Sequence, residues 1–290
     1  MAAVTTPSDA TPITWVNGIP AGQVAIVDRG LAYGDGLFET MRYQAGAVPL
    51  WPLHLERLID GTQRLNIPVC ETELQHQLKQ VLSDLAQMLA SPDAFGALKL
   101  IVTRGESPGY TPDPKAVPNY YWLYRPCVES VEVAQQGVAL QVSPLRLSRS
   151  ALLGGLKHLN RLEYVLAAQQ PLAAQSQWLL LDEQDCVIEA LTHNIFWLRR
   201  GELYTPVLSH CGVAGVMRRW LMQQAAAEAQ VVHSAAFSLA DVLSADEVFI
   251  CNSLRGIWPV SQIEQTHFNL GPITRQYQRA IGSLWRDTHG

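Results

Sequence analysis

Gly154-Gly155-Leu156-Lys157-His158-Leu159-Asn160-Arg161-Leu162-Glu163 is the stretch on which the reading of this chain turns. There are only four lysines (Lys79, Lys99, Lys115 and Lys157), and Lys157 alone follows a Gly-Gly turn and an apolar stretch and precedes a helix-like run. A lysine desolvated at such a junction gives up its proton more readily and becomes a nucleophile. Such an amine is what a Schiff base with an aldehyde cofactor requires. A solvated lysine at a loop-to-helix junction explains the local string equally well, so the decision falls to residues farther along the chain.

The 290 residues suit two domains of ordinary size. A hydrophobic fraction of 48% against 16% charged residues describes a well-buried globular protein. The net charge of −5, with no basic run longer than Arg199-Arg200 or Arg218-Arg219, argues against nucleic acid as a partner. Five scattered cysteines without a CxxC pair point to a reduced, cytoplasmic setting and away from zinc. Residues 1–12 read as a flexible tail without a signal pattern. No run of 18 apolar residues exists, so no membrane span is expected.

Along the chain, strands are expected at 13–16 and 24–27, with a tight turn at Asn17-Gly18 between them. A loop follows, and then a hairpin that pairs 38–43 with 48–51 around Gln44-Ala45-Gly46. Pro52 suits a first helical turn, and Leu55, Leu58, Ile59 and Leu65 recur at helical spacing, giving a helix over 52–66. A second helix covers about 72–90, and buried strands lie near 98–103 and 120–124. Residues 13–125 thus form an α+β domain. Residues 126–135 lack a pattern and read as a linker. The second domain, 136–290, opens with a strand at 138–143, the lysine turn and a helix over about 160–170. Strands follow at 178–181, 187–190, 194–198 and 202–204, then a helix near Gly215, a strand at 247–251 and a C-terminal helix from about 273.

Four further features belong to the chemistry of Lys157. Glu189 sits in the apolar run Val187-Ile188-Glu189-Ala190, where a carboxylate is costly unless a positive partner meets it; an edge-strand glutamate facing water is the plain alternative. Gly212-Val213-Ala214-Gly215-Val216-Met217-Arg218 places glycines at the start of a helix, whose free N–H groups and dipole favour an anion. His54 and Arg57 share one helix face, and Arg57 can clamp a phosphate, although a solvated helix face explains the pair as well. Asn252-Ser253 adds amide and hydroxyl groups at a strand end, a common ligand position. Lysine, acid and anion cup together are what pyridoxal phosphate requires of a protein.

With these residues in place, the chain resembles the fold-type IV pyridoxal-phosphate enzymes from Ile13 to the C-terminal helix. Asp28-Arg29-Gly30-Leu31-Ala32-Tyr33-Gly34-Asp35-Gly36-Leu37-Phe38-Glu39-Thr40 is similar to their N-terminal signature, and His54 to Leu58 to their phosphate-arginine motif. The resemblance implies a two-domain α/β (α+β) fold, with a smaller N-terminal α+β domain and a larger cofactor-binding domain built on a mixed, barrel-like sheet. It gives Lys157 the Schiff base and Glu189 the pyridine nitrogen. It assigns the phosphate to Arg57, to the amides near Val216 and Met217, and to Asn252 and Ser253. Within that family, Gly155 to Glu163, taken with Tyr204-Thr205-Pro206, Gly212-Val213 and Cys251-Asn252-Ser253, is closest to the aminodeoxychorismate lyases. These convert 4-amino-4-deoxychorismate to 4-aminobenzoate and pyruvate, a step towards folate. D-amino acid or branched-chain aminotransferases use the same groups and are the alternative; a non-catalytic binding domain of this fold is a third reading. Some lyases carry Gly-Arg-Gly-Tyr where this chain has Glu106-Ser107-Pro108-Gly109-Tyr110, so Arg104 or Arg42 is expected to take over a substrate carboxylate, with Tyr33 and Tyr110 nearby. Family members pair as homodimers, which is the expectation here.

Overall fold

The computed structural model describes residues 11–89, 91, 94–173 and 176–286, so most of the expected tail lies outside the described residues. Two compact units emerge. One holds the described residues up to Val128, together with Lys157–Asn160 and residues 285–286; the other holds Glu129–Leu156 and Arg161–Leu284.

The N-terminal unit contains β1 (Ile13–Val16), β2 (Ile19–Pro20), α1 (Arg29–Tyr33), β3 (Gly36–Gln44), α2 (Trp51–Arg64), α3 (Glu71–Met88), β4 (Phe95–Thr103) and β5 (Asn119–Pro126). Its sheet is antiparallel throughout, in the order β2-β1-β5-β4-β3. Register places Trp15, Trp122, Leu100 and Glu39 in one row across the strands. Alternation sends Phe38 and Lys99 to the other face. The Trp15 row meets α3: the Trp15 indole donates to Asp84 (2.7 Å) and the Trp122 indole to Gln77 (3.0 Å). Leu74, Leu78, Val81 and Leu85 recur at helical spacing on α3 and are buried there.

The C-terminal unit contains α4 (Val131–Gln136), β6 (Val138–Leu147), α5 (Leu162–Ala168), β7 (Ser176–Asp182), β8 (Val187–Ala190), β9 (Asn194–Arg199) and β10 (Glu202–Pro206). It continues with α6 (Val216–Ala227), β11 (Val232–Ala235), α7 (Leu239–Leu243), β12 (Glu247–Asn252), β13 (Gly256–Ile263), β14 (Thr266–His267) and α8 (Pro272–Arg286). Its mixed sheet runs β11-β10-β9-β12-β13-β6-β7-β8, with β14 on β13. Only residues 191–193 join β8 to β9, yet four strands separate them along the sheet. A flat sheet would hold β8 and β9 ~24 Å apart, whereas that link reaches about 14 Å at most. The sheet must therefore curl until its β8 edge returns to β9, and the curl encloses a core of Leu179, Ile195, Trp197, Ile250 and Val260.

Four expectations change. Residues 24–27 form no strand: Val24, Ile26 and Val27 are 51%, 84% and 57% exposed, and among the described residues no strand pairs with them. The loop after them contains α1, capped by the Asp28 side chain on Gly30 N–H and closed by Gly34 in the left-handed region. The hairpin partner of β3 is β4, not 48–51, because β3 and β4 pair over their whole length, Gly36 with Thr103 to Gln44 with Phe95. The stretch read as a linker contains α4, and residues 157–160 belong to the N-terminal unit.

Candidate functional site

Lys157 is held by its backbone. Phe38 N–H donates to the Lys157 carbonyl (2.9 Å) and Leu159 N–H to that of Gly36 (3.0 Å), so residues 157–160 run antiparallel to the start of β3. The lysine Nζ stands 4.3 Å from the centroid of the Phe38 ring. Just upstream, Gly155 has φ +77°, and a Cβ on Gly154 would meet the Ser209 and His210 backbone at 2.5–2.6 Å. The Gly-Gly pair is thus demanded by a left-handed turn and a close backbone approach.

Across β3, on the helix-facing side, Arg57 engages Glu39. Its Nε lies 2.8 Å from Oε1, and Nη2 donates to Oε2. His54 Nδ1 is 2.6 Å from the same Oε2. Burial pushes the Glu39 carboxyl up, but Arg57 and His54 outweigh it and hold the group at about 2. Burial holds His54 below its ordinary value despite the bond to Glu39.

In the C-terminal unit, Glu189 is 4% exposed. It accepts from the Tyr164 hydroxyl (2.5 Å), Asn194 Nδ2 (3.1 Å) and Val213 N–H (3.1 Å). Tyr164 is raised well above its ordinary value, first by burial and then by the Glu189 charge, so it stays a donor. Asn194 Nδ2 also donates to the Val213 carbonyl (2.8 Å), tying the glutamate to the loop before α6. The N-cap of α6 is Gly215, which offers no side-chain cap, and a Cβ there would lie 1.9 Å from Asn194 Oδ1. Val216 and Met217 thus open a helix whose first-turn amides no N-cap side chain covers. Cys251 pairs with Asn194 in the β9–β12 ladder, which sets Asn252 and Ser253 just beyond. Asn252 spends its amide on the Thr192 carbonyl (3.2 Å) and its Oδ1 on Leu254 and Arg255 N–H, so it shapes this turn.

Next to that turn, the His193 ring lies 4.8 Å from that of Trp258, tilted by 35°, and among the described residues its Nε2 has no partner. Burial, helped by Arg255, lowers it to about 3. A depressed histidine stabilises fully above its unfolded value near 6.5, and that contribution is lost as pH falls towards 3. The urea midpoint of the protein is therefore expected to drop through this window, and more steeply than that of His193→Phe. Parallel slopes in the two proteins would remove His193 as a cause.

Two expected substrate groups are otherwise occupied. Arg104 grips Asp35 through Nε and Nη2 (2.8 and 3.1 Å) and donates to the Asn66 and Leu65 carbonyls (2.6 and 2.7 Å). Arg42 is 4% exposed, bonds to Gln44 (2.7 Å) and lies between the Phe95 and Trp285 rings. Both serve the N-terminal unit's own packing. Tyr33 and Tyr110 do form a pair, with ring centroids 5.5 Å apart, and are 39% and 89% exposed. Missed from the sequence was Lys99, whose Nζ lies 4.9 Å from the same Phe38 ring as Lys157. Burial, then Arg125, lowers its pKa. Its signal was an ionisable residue inside the apolar strand Ala97-Leu98-Lys99-Leu100-Ile101.

A five-stranded antiparallel α+β unit, a curled mixed sheet and a lysine paired on β3 define the class. The amino-transferase class IV family matches residues 36–263, and the chain belongs to it. It is 34% identical to the aminodeoxychorismate lyase of Vibrio harveyi over 280 residues, covering 91% of this chain and 97% of that one. The crystal structure of 4-amino-4-deoxychorismate lyase from Pseudomonas aeruginosa superposes with a TM-score of 0.88 at 40% identity, covering 93% of this chain and 98% of that one. The D-alanine aminotransferase of Bacillus licheniformis is 28% identical over 272 residues, covering 89% of this chain and 90% of that one.

Proposed function

We propose that this protein is a pyridoxal-phosphate-dependent lyase that converts 4-amino-4-deoxychorismate to 4-aminobenzoate and pyruvate. The observation that carries the reading is Lys157, pinned by backbone bonds to β3 and sharing the Phe38 ring with a second lysine. Similarity to the two lyases supports the same substrate class. The donor set suits the cofactor: an amine for the aldehyde, an arginine and uncapped helix amides for a phosphate, and a buried acceptor carboxylate for a ring N–H. The orphaned, buried Nε2 of His54 also fits a polar ligand better than an apolar core.

When bound, pyridoxal phosphate supplies an aldehyde for the substrate amine and a ring that accepts electron density from the adjacent carbon. The chain's residues do the rest. Lys157 would hold the cofactor through its aldehyde, and its neutral Nζ would take the proton from the substrate carbon that bears the amine. Glu189, braced by Tyr164, Asn194 and Val213, keeps a proton on the ring nitrogen. Arg57, with the amides of Val216 and Met217 and the turn at Asn252 and Ser253, holds the phosphate. Loss of the enolpyruvyl group as pyruvate makes the carbocycle aromatic, so the protein has to supply mainly proximity and proton transfer.

Lys99 is the group we assign to a substrate carboxylate in place of Arg42 and Arg104. Lys99→Met is expected to raise KM about tenfold, the worth of one charge-assisted hydrogen bond, with a smaller change in kcat. An unchanged KM would remove Lys99 from substrate binding. We further propose a homodimer in a cytoplasmic setting. The exposed apolar side chains Ile19, Val24, Ile26, Val27 and Leu31 are suited to a second copy, and the five cysteines are unpaired.

The test is product analysis with 4-amino-4-deoxychorismate and cofactor-loaded protein. Equal yields of 4-aminobenzoate and pyruvate are expected. Amino-group transfer to a keto acid, with no aromatic product, would move the protein to the aminotransferases.

A further inference from the structure

Glu39 has no part in the reaction described above, yet it is one of the most deeply placed charges in the N-terminal unit, at 1% exposure. Its row on the sheet is otherwise apolar, with Leu100, Trp122 and Trp15. An apolar side chain there would pack without the cost of desolvating a carboxylate, and buried ion pairs are weak evidence for stability as such. The geometry of its partners is specific. Arg57 meets both carboxylate oxygens through Nε and Nη2, a side-on fork that fixes the plane of the guanidinium. His54 and Arg57 stand three residues apart on α2, so both reach the same carboxylate from one helix face. His54 is held neutral by burial, and its Nδ1 therefore donates to Oε2 at 2.6 Å. That bond keeps the carboxylate from turning away from the arginine.

We propose that Glu39 is a positioning residue that fixes Arg57 in the orientation that grips the cofactor's phosphate, with His54 as its brace. The inference rests on the reading above that Arg57 binds the phosphate. An arginine side chain left alone spreads over many rotamers; one clamped at Nε and Nη2 has already lost that freedom before the ligand arrives. A carboxylate acting only as nearby negative charge would do the reverse and repel the phosphate. The two roles therefore predict opposite signs when the charge is removed.

The experiment titrates the apo-protein with pyridoxal phosphate and, separately, with pyridoxal, following the visible absorption of the bound aldehyde. The ratio of the two dissociation constants isolates the phosphate's contribution from every other contact. Glu39→Gln is expected to lower that phosphate preference about tenfold while pyridoxal affinity stays within about twofold. Arg57→Gln is expected to lower the preference further, and the double variant to match Arg57→Gln alone, because Glu39 acts only through the arginine. Equal weakening for both ligands, tighter binding of pyridoxal phosphate, or additive effects in the double variant would each overturn the proposal. Glu39→Asp gives the same test if the Gln variant does not fold: it keeps the charge, shortens the arm and should also lose preference. A wild-type protein without any preference for the phosphorylated form would instead overturn the reading of Arg57 itself.

Discussion

Lys157→Ala is expected to bring turnover below detection and to abolish the visible absorption band of the covalently held cofactor. The size of the loss follows from the two roles proposed for one amine. A general base alone supplies ~10²–10⁴ in rate, and the covalent link that readies the cofactor for exchange with the substrate amine disappears with it. The fold should survive, because what anchors this segment is backbone: the Phe38 N–H still meets the carbonyl of residue 157, and Leu159 N–H that of Gly36. Lys157→Arg separates charge from chemistry. It keeps a cation over the Phe38 ring, but a guanidinium forms no such link and does not give up its proton. Both variants should therefore be inactive with thermal midpoints within a few degrees of the parent. Near-normal product formation by either would remove Lys157 from the mechanism, whatever its place on β3.

How much of this was open to a reader of the sequence depends on how far apart the deciding partners lie. The Gly-Gly-Leu-Lys string is local, and the turn it encodes is there, with Gly155 in the left-handed region. Residues 187–190 read as a strand in an apolar run, with burial of Glu189 left open, and all four are buried. What the local pattern could not show needed a partner that it does not name. Val24 to Val27 has the β-branched content of a strand, yet a strand exists only where another chain segment offers its edge, and among the described residues none does. Arg42 and Arg104 look like spare cations until Trp285 and the carbonyls of Leu65 and Asn66 arrive from elsewhere in the chain. Lys99 becomes a neighbour of Lys157 only through the nine-residue β3–β4 register, which sets Lys99 opposite Thr40 on the face that carries Phe38. Glu39 sits in a strand whose alternation sends it to the helix side, and α2 supplies the Arg57 cation and the His54 donor that make this tolerable. Electrostatic partners reached through register are invisible to periodicity, and they make up most of what the structure adds.

Glu189→Gln carries the second large effect, an expected loss of two to four decades in kcat, on the order of what a well-placed proton-transfer group supplies. The substitution is nearly isosteric and leaves much of the local network in place. A Gln Oε1 can still accept from Asn194 Nδ2 and Val213 N–H, and the Tyr164 hydroxyl can turn from donor to acceptor for the new amide. What the variant lacks is the negative charge that the proposed function assigns to keeping a proton on the cofactor's ring nitrogen. KM should move little, since Glu189 is assigned to the cofactor and not to the substrate, so the loss belongs in kcat. Cofactor binding should persist, because the phosphate contacts assigned to Arg57 and to the start of α6 do not involve this side chain. Steady-state kinetics with an absorbance spectrum of the same sample decides the matter. Full turnover in a properly folded variant that retains its cofactor would mean that Glu189 only organises the loop before α6, and the ring nitrogen would need another partner.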